Sequence, residues 1–473
     1  MNMTFEKKYI LLLILSLCSL INARSQVTKS DYFMSTSHMR NNLNPALQPE
    51  QGYLIVPVLP YIGVNGQTNT FNLDNFTFKG DRSQRVTFMH LSVSPDEFLS
   101  RLQPDNYANA DVNIKLFGLG MFRGENYWNF DLGIRAHFDA SVPKPFFELL
   151  KKGFDQNNQS RYDLSDLNST GQAFIEAGVA HSRPFRDKNL ILGARVKLLG
   201  GLADYNLDTR NLSIDAGPDY WRARSRVTLK GSAPGVIPKY DEKGNLDGFD
   251  FGKFNIPGFG AGVDIGAVYK VKDIFPSMEG LRISAAINDI GFITWTKDNS
   301  ISLQSPDTEV EISPNDYEIY NRDGSSIFDV FEDAFDDIKK AVNLKGDERK
   351  ARTTMLRANM NIGAEYELIK HKLSFGALYS VRFGNYINIS EITFSTNYQP
   401  NSWLSTAITY SVNHSQFDTF GLALHITPKK GLNFFLASDY ALPHISTDFL
   451  PTSSRALNLQ LGFSIPLGNR VCD

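Results

Sequence analysis

Twelve charged residues stand at alternate positions inside otherwise apolar segments: Asp131, Arg135, Asp139, Glu176, Arg195, Lys197, Asp264, Arg282, Arg357, Glu365, Glu367 and Arg382. Six are acidic and six basic. Balanced fixed charges pair with one another around a filled or narrow interior, whereas a pore that selects ions lines itself with one sign. Catalytic chemistry has less to work with. There is no Gly-x-Ser-x-Gly elbow, no His-Glu-x-x-His pair and no phosphate-cradling glycine loop. The eight histidines are scattered, none paired at metal-ligand spacing. His137, on a polar face, is the histidine that a hydrolase assembled across strands would use. The acidic stretch at 241–252 lacks the ligand spacing and closing Glu of a calcium loop and reads as a turn. These residues predict no enzyme, no cofactor and no metal.

The elements that must carry the charges are strands. In YWNFDLGIRAHFDA, Trp128, Phe130, Leu132, Ile134, Ala136 and Phe138 alternate with Asn129, Asp131, Gly133, Arg135, His137 and Asp139. The same period-two pattern runs through MLRANMNIGAEYEL at 355–368, LSFGALYSVRF at 373–383 and the closing ALNLQLGFSIPL at 456–467. Candidate strands lie at 52–65, 70–80, 84–94, 109–122, 126–141, 170–183, 189–204, 258–271, 280–296, 354–369, 372–384, 388–398, 402–413, 417–426, 431–440 and 454–466. Most reach the roughly ten residues that a tilted strand needs to cross hydrocarbon, about twice the usual soluble length. A charged side chain facing lipid at midplane costs about 2–4 kcal/mol, so the charged faces are assigned inward. Trp128, Trp295, Tyr366, Tyr410 and Tyr440, near strand ends, are candidates for interfacial girdles.

Connection lengths sort by side. Counting back from the C-terminus, turns near 427–431, 398–402, 369–372, 184–189 and 123–126 are short and only that around 273–280 is somewhat longer, whereas 142–169, 205–257, 297–353 and 441–453 are long and fall on the opposite side. A membrane barrel alternates its connections in this way. At the N-terminus, Lys7 and Lys8 precede an apolar run to Leu20, with Ala23-Arg24-Ser25 at cleavage spacing, so 1–25 reads as a signal peptide. That leaves Cys472 as the only cysteine of the mature chain, with no disulfide framework. A net charge of −3 and the absence of a basic stripe argue against a nucleic-acid partner.

Asn44-Pro45-Ala46-Leu47, in the polar stretch before the first strand, resembles an element of the long-chain fatty-acid transporter superfamily of outer-membrane proteins. The segment INDIGFITW, Ile287 to Trp295, is similar to a strand motif of related uncharacterised barrels and of the type IX secretion shuttle barrel. The resemblance implies that 26–51 folds back as a hatch in the lumen, with 52–473 as barrel. The expected fold is therefore all-β: a transmembrane antiparallel barrel of about 14 to 16 strands in the outer membrane of a Gram-negative bacterium, with an N-terminal hatch and a helix in a long outer loop. That helix covers 327–342, where Phe328, Phe331, Phe335 and Ile338 share one face, either as a lid or as a cap on the barrel mouth. A second short helix is expected at 144–154.

The expected partners are outer-membrane lipid, the barrel assembly machinery and a hydrophobic small-molecule ligand. By resemblance the function is uptake or passage of that ligand, with Gly260 and Gly262 beside Pro257 marking a kink for lateral exit. The alternative is a non-transporting barrel that serves as a secretion or surface scaffold for a protein partner.

Overall fold

The computed structural model describes residues 28–468 except 81–84, 153–159, 186–187, 217–220, 241–245, 272–277, 306–308, 313–344, 347–348, 385, 387, 414–418, 429–430 and 441–453. Fourteen antiparallel strands close into a barrel. The first, β1, comes in two pieces, Gly52–Ile55 and Tyr61–Thr68. It is followed by β2 (Asp105–Arg123), β3 (Asn126–Pro143), β4 (Asn168–Phe185) and β5 (Leu190–Ala216). Next come β6 (Gly258–Lys270), β7 (Leu281–Trp295) and β8, again in two pieces, Arg352–Met355 and Asn359–Ile369. The ring continues with β9 (Leu373–Arg382), β10 (Ile389–Asn401), β11 (Leu404–Asn413) and β12 (Thr419–Ile426). It ends with β13 (Asn433–Ser438) and β14 (Ala456–Leu467). Pairing of Gly52 with Leu467 and of Ile62 with Leu461 joins β14 to β1, so the barrel has no free edge.

Alternation decides which way each side chain points. Leu198, Phe259, Ile265, Phe394, Ile408 and Leu422 are exposed on the outside, a continuous apolar surface of the kind that lipid covers. Asn458, Gln460, Thr393, Ser395 and Thr409 are buried on the inside. One mouth has tight turns, and Gly124, Lys188 and His371 supply positive φ there. The other mouth carries the longer connections. There β5 runs on past the wall and pairs with Trp221–Ser232. Helix Lys144–Lys152 covers the second helical region expected from the sequence.

Three expectations need correction. The stretches 70–80 and 84–94 are not barrel strands: Leu73–Phe76 is a helical turn capped by the Asn72 side chain, and Thr77–Lys79 pairs only with Arg85–Thr87. Their apolar residues Phe76, Phe78 and Phe88 pack with Phe98, Phe146 and Phe147 in a cap above the loop-side mouth. Trp295 and Tyr440 are not girdle residues but are buried inside. The wall is also unbroken at Gly260 and Gly262, which pair with Ile293 and Gly291 of β7 and with Leu199 and Lys197 of β5. Glycine serves here for room, since a Cβ on Gly258 would lie 2.7 Å from the Trp295 ring. The interruption is instead in β1, where residues 56–60 leave the ladder and contain Pro57 and Pro60, which lack a backbone donor.

The lid-helix residues Phe328, Phe331, Phe335 and Ile338 lie outside the described residues.

Candidate functional site

Residues 28–51 sit inside the barrel as two short helical turns, Ser30–Phe33 and Arg40–Leu43, followed by a tight bend. The bend is made by Asn44-Pro45-Ala46. Asn44 has extended φ and ψ, as the residue before proline should, and its Oδ1 accepts the Ala46 N–H at 2.9 Å. Its amide nitrogen points at the wall, 3.3 Å from the carbonyls of both Ala267 and Ala285. The wall makes space with glycine: a Cβ on Gly266 would lie 2.0 Å from Asn44 Oδ1, and one on Gly193 would lie 2.3 Å from the Pro45 carbonyl carbon. Tyr32 and Phe33 occupy comparable spaces at Gly363 and Gly376.

Polar contacts then fix the hatch around the ring. Thr28 N–H donates to Gln460 at 2.7 Å, and Lys29 N–H to Asp439 at 2.6 Å, while the Lys29 ammonium meets Glu391 at 3.1 Å. Arg195 donates to Asn41 at 3.0 Å and to Asn42 at 2.8 Å, and Lys115 donates to Asn42 at 3.0 Å. The Leu43 carbonyl accepts from Asn288 at 2.8 Å and from Asn361 at 2.9 Å. The ring of His38 stacks on Tyr53, with centroids 4.1 Å apart.

On the loop side of the hatch lies a belt of ion pairs. Arg135 grips Asp289 with both terminal nitrogens, at 2.6 and 2.8 Å, and reaches Glu176 at 3.0 Å. Lys197 contacts Asp289 at 2.6 Å and Asp264 at 2.8 Å. Arg195 and Lys115 flank Asp131 at 3.4 and 3.7 Å. Arg357 holds Asp139 at 2.8 Å, and both Arg357 and Arg382 bond Asp111. Arg282 makes longer contacts with Glu365 and Glu367, 3.7 and 3.9 Å, nearer the turns. All twelve charges named from the sequence therefore lie in interior ion pairs. Asp111, Lys115, Asp289 and Glu391 join them and were missed.

Asp289 was missed for a structural reason. A bulge sets Asn288 and Asp289 of β7 against the single Asp264 of β6. Asp289 has φ of 61° and its N–H donates to Asp264 at 2.7 Å. Both residues therefore turn inward, and the alternation beyond them reverses. That reversal carries Ile293 and Trp295 inside, where they pack with Phe174, Leu199 and Leu356.

The interior is thus layered. A cavity of about 110 Å³ lies on the loop side, lined by the ion pairs below and by Phe174 and Leu356 above. His137 lines the same cavity, beside Arg135 and Arg382. The hatch comes next, and a larger cavity of about 510 Å³ lies on its turn side. Among the described residues, no group of three or more His, Cys, Asp or Glu is placed to hold a metal.

Residues 45–439 match a family described as being of unknown function, DUF5723. The chain belongs to this family. No curated protein matches it. Among solved structures it is similar to the TodX deltaS2S3 mutant monoaromatic hydrocarbon channel, with a TM-score of 0.45 at 10% identity, over 91% of this chain and 95% of that one. It is also similar to the Pseudomonas putida toluene transporter TodX, with a TM-score of 0.37 at 9% identity, over 92% and 94%. A Pseudomonas aeruginosa FadL homologue gives 0.36 at 10% identity, over 89% and 90%. The barrel assignment rests on the strand pairing of this family member, not on these likenesses.

Two hatch groups make its seat depend on pH in opposite directions. Burial raises the Asp31 carboxyl to about 7, against bonds from Ser37 and Thr28 that lower it. Burial holds His38 well below its ordinary 6.5. The seated Asp31 keeps a proton that a solvated one loses, so its contribution weakens as pH rises from the ordinary carboxylate range to about 7. The seated His38 refuses a proton that a solvated one takes, so its contribution weakens as pH falls below 6.5. Between these limits the two slopes, each at most about 1.4 kcal/mol per pH unit, oppose one another. In thermal unfolding against pH, the wild type should be nearly flat over this window. Asp31→Asn should become more stable with rising pH, and His38→Phe, which keeps a ring on Tyr53, should become less stable. Parallel curves for the three proteins would refute this reading.

Proposed function

We propose that this chain is an outer-membrane barrel that passes small molecules with a large apolar part, and that the hatch is its gate. The observation that carries the reading is the layered interior. Phe174 and Leu356 give the loop-side cavity an apolar lining, backed by the buried Leu199, Ile293 and Trp295, and the larger cavity beyond the hatch is walled in part by Phe122, Ile191 and Val268. A molecule entering from the loops meets Phe174 and Leu356, then the ion pairs, and reaches the second cavity when the hatch moves. Many of the contacts to be broken are hydrogen bonds, which water can replace at a modest net cost of about 0.5–1.5 kcal/mol each. The resemblance carried by Asn44-Pro45-Ala46 implies cargo of the same kind.

The test is uptake by Gram-negative cells, whose outer leaflet resists hydrophobic compounds. Cells making the chain should accumulate radiolabelled toluene or oleate several-fold faster than cells carrying the empty vector, with no gain for glucose. Equal rates for both apolar probes would leave a permanently plugged scaffold as the better account.

A further inference from the structure

Among the described residues, one buried charge in the hatch has no hydrogen bond and no ion pair. Arg40 is 4% exposed, and its Nε makes no hydrogen bond. The cations of the belt contrast with it, since Arg135, Arg195, Lys197, Arg357 and Arg382 each meet a carboxylate. A guanidinium taken out of water without a bonded anion is costly, and Glu365 and Glu50 attract Arg40 only from beyond ion-pair distance. Arg40 lines the cavity of about 510 Å³ on the turn side, together with Phe33, Leu47, Ile191 and Val268 and with Glu50, Glu279, Glu365 and Glu367. The same cavity is lined by Gly280 and His371, so it lies at the mouth with the tight turns. Arg282, on the wall, meets Glu365 and Glu367 at 3.7 and 3.9 Å.

We infer that Arg40 anchors a carboxylate that enters from the turn side, with the apolar body of the ligand against Phe33, Leu47, Ile191 and Val268. A guanidinium fork suits a carboxylate, which it can hold through two parallel bonds. The inference deepens the reading of the hatch as a gate. An anion bound at Arg40 sits on the moving part itself.

The carboxylate has two sources, a free small acid or a chain terminus, and paired probes separate them. The full chain in mild detergent is titrated by thermal unfolding with benzoate against benzamide, and with the tripeptide Ala-Leu-Phe against its C-terminal amide. At least one acid should raise the melting temperature saturably while its amide does not. Tighter binding of benzoate assigns a free acid, and tighter binding of the tripeptide assigns a chain terminus. Arg40→Gln should weaken the effective acid by about tenfold or more while melting no lower than wild type without ligand, because it removes a buried charge that has no bonded anion. Arg40→Lys keeps the charge without the fork and should weaken binding less, which also decides the matter if Arg40→Gln does not fold. Acids that act no differently from their amides, or binding unchanged in both variants, would overturn the site. Because the readout is binding in detergent, it stands apart from uptake, whose failure would count against the gate alone.

Discussion

Asp289→Ala should destabilise the barrel by about 3–5 kcal/mol, the loss expected when one member of a buried ion pair is removed and its partners are left behind. Asp289 receives both terminal nitrogens of Arg135 and the ammonium of Lys197, all within 2.8 Å. Glu176 and Asp264 would remain as the carboxylates for these two cations. A further cost comes from the backbone. Asp289 sits at φ of 61°, where alanine is disfavoured by roughly 1–2 kcal/mol and asparagine by less. Asp289→Asn therefore isolates the charge and should account for most of the loss. Urea unfolding in detergent micelles measures both, and a loss below about 1 kcal/mol for either variant would show that the belt is not what holds this part of the barrel.

The second large effect is steric. At Gly193 a Cβ would lie 2.3 Å from the Pro45 carbonyl carbon and 2.4 Å from the Ala46 nitrogen, inside any tolerable contact and against backbone that cannot rotate away. Overpacking of this kind costs typically about 1–3 kcal/mol or more when the surroundings can shift. Here the hatch is the part free to leave. Gly193→Val should therefore unseat the 44–47 bend while β5 keeps its pairing. Gly200→Val is the control, since a Cβ there meets only Ile256, at 3.7 Å. With Cys18→Ser and Cys472→Ser as background, a cysteine at Ala46, which is fully buried, should resist a water-soluble maleimide in the parent and in Gly200→Val. In Gly193→Val it should be modified rapidly. Protection in all three would mean that the hatch accommodates the valine.

Much of this architecture is legible because lipid and lumen impose opposite demands on successive residues. Leu457, Leu459 and Leu461 alternate with Asn458 and Gln460, and the first set faces out while the second meets Asp439 and Thr28. The same parity puts Asp131, Arg135, Arg195 and Lys197 where they pair. It fails where one residue is inserted. In Ile287-Asn288-Asp289-Ile290 the two polar residues stand together and the isoleucines are three apart, a break in period that marks the bulge. Counting through it without correction sends Trp295 to the wrong face.

Alternation is also silent about what a strand face touches. Phe76, Phe78 and Phe88 read like a lipid face but pack on a local aromatic core. The inward glycines 193, 266, 363 and 376 fall on polar faces like any others, and nothing in their own segments tells that Pro45, Asn44, Tyr32 and Phe33 fill the space above them. Arg40 was not legible as a site, because whether a buried charge has a bonded partner is a property of the assembled interior.

The central claim is that the hatch closes a path through this barrel, and current through a planar lipid bilayer tests it most directly. Single insertions of the wild type should be nearly non-conducting, as should Gly200→Val, while Gly193→Val should open to a steady conductance well above both. A wild type that conducts as freely as Gly193→Val, or a Gly193→Val with its hatch labelled at position 46 and still no current, would contradict the claim.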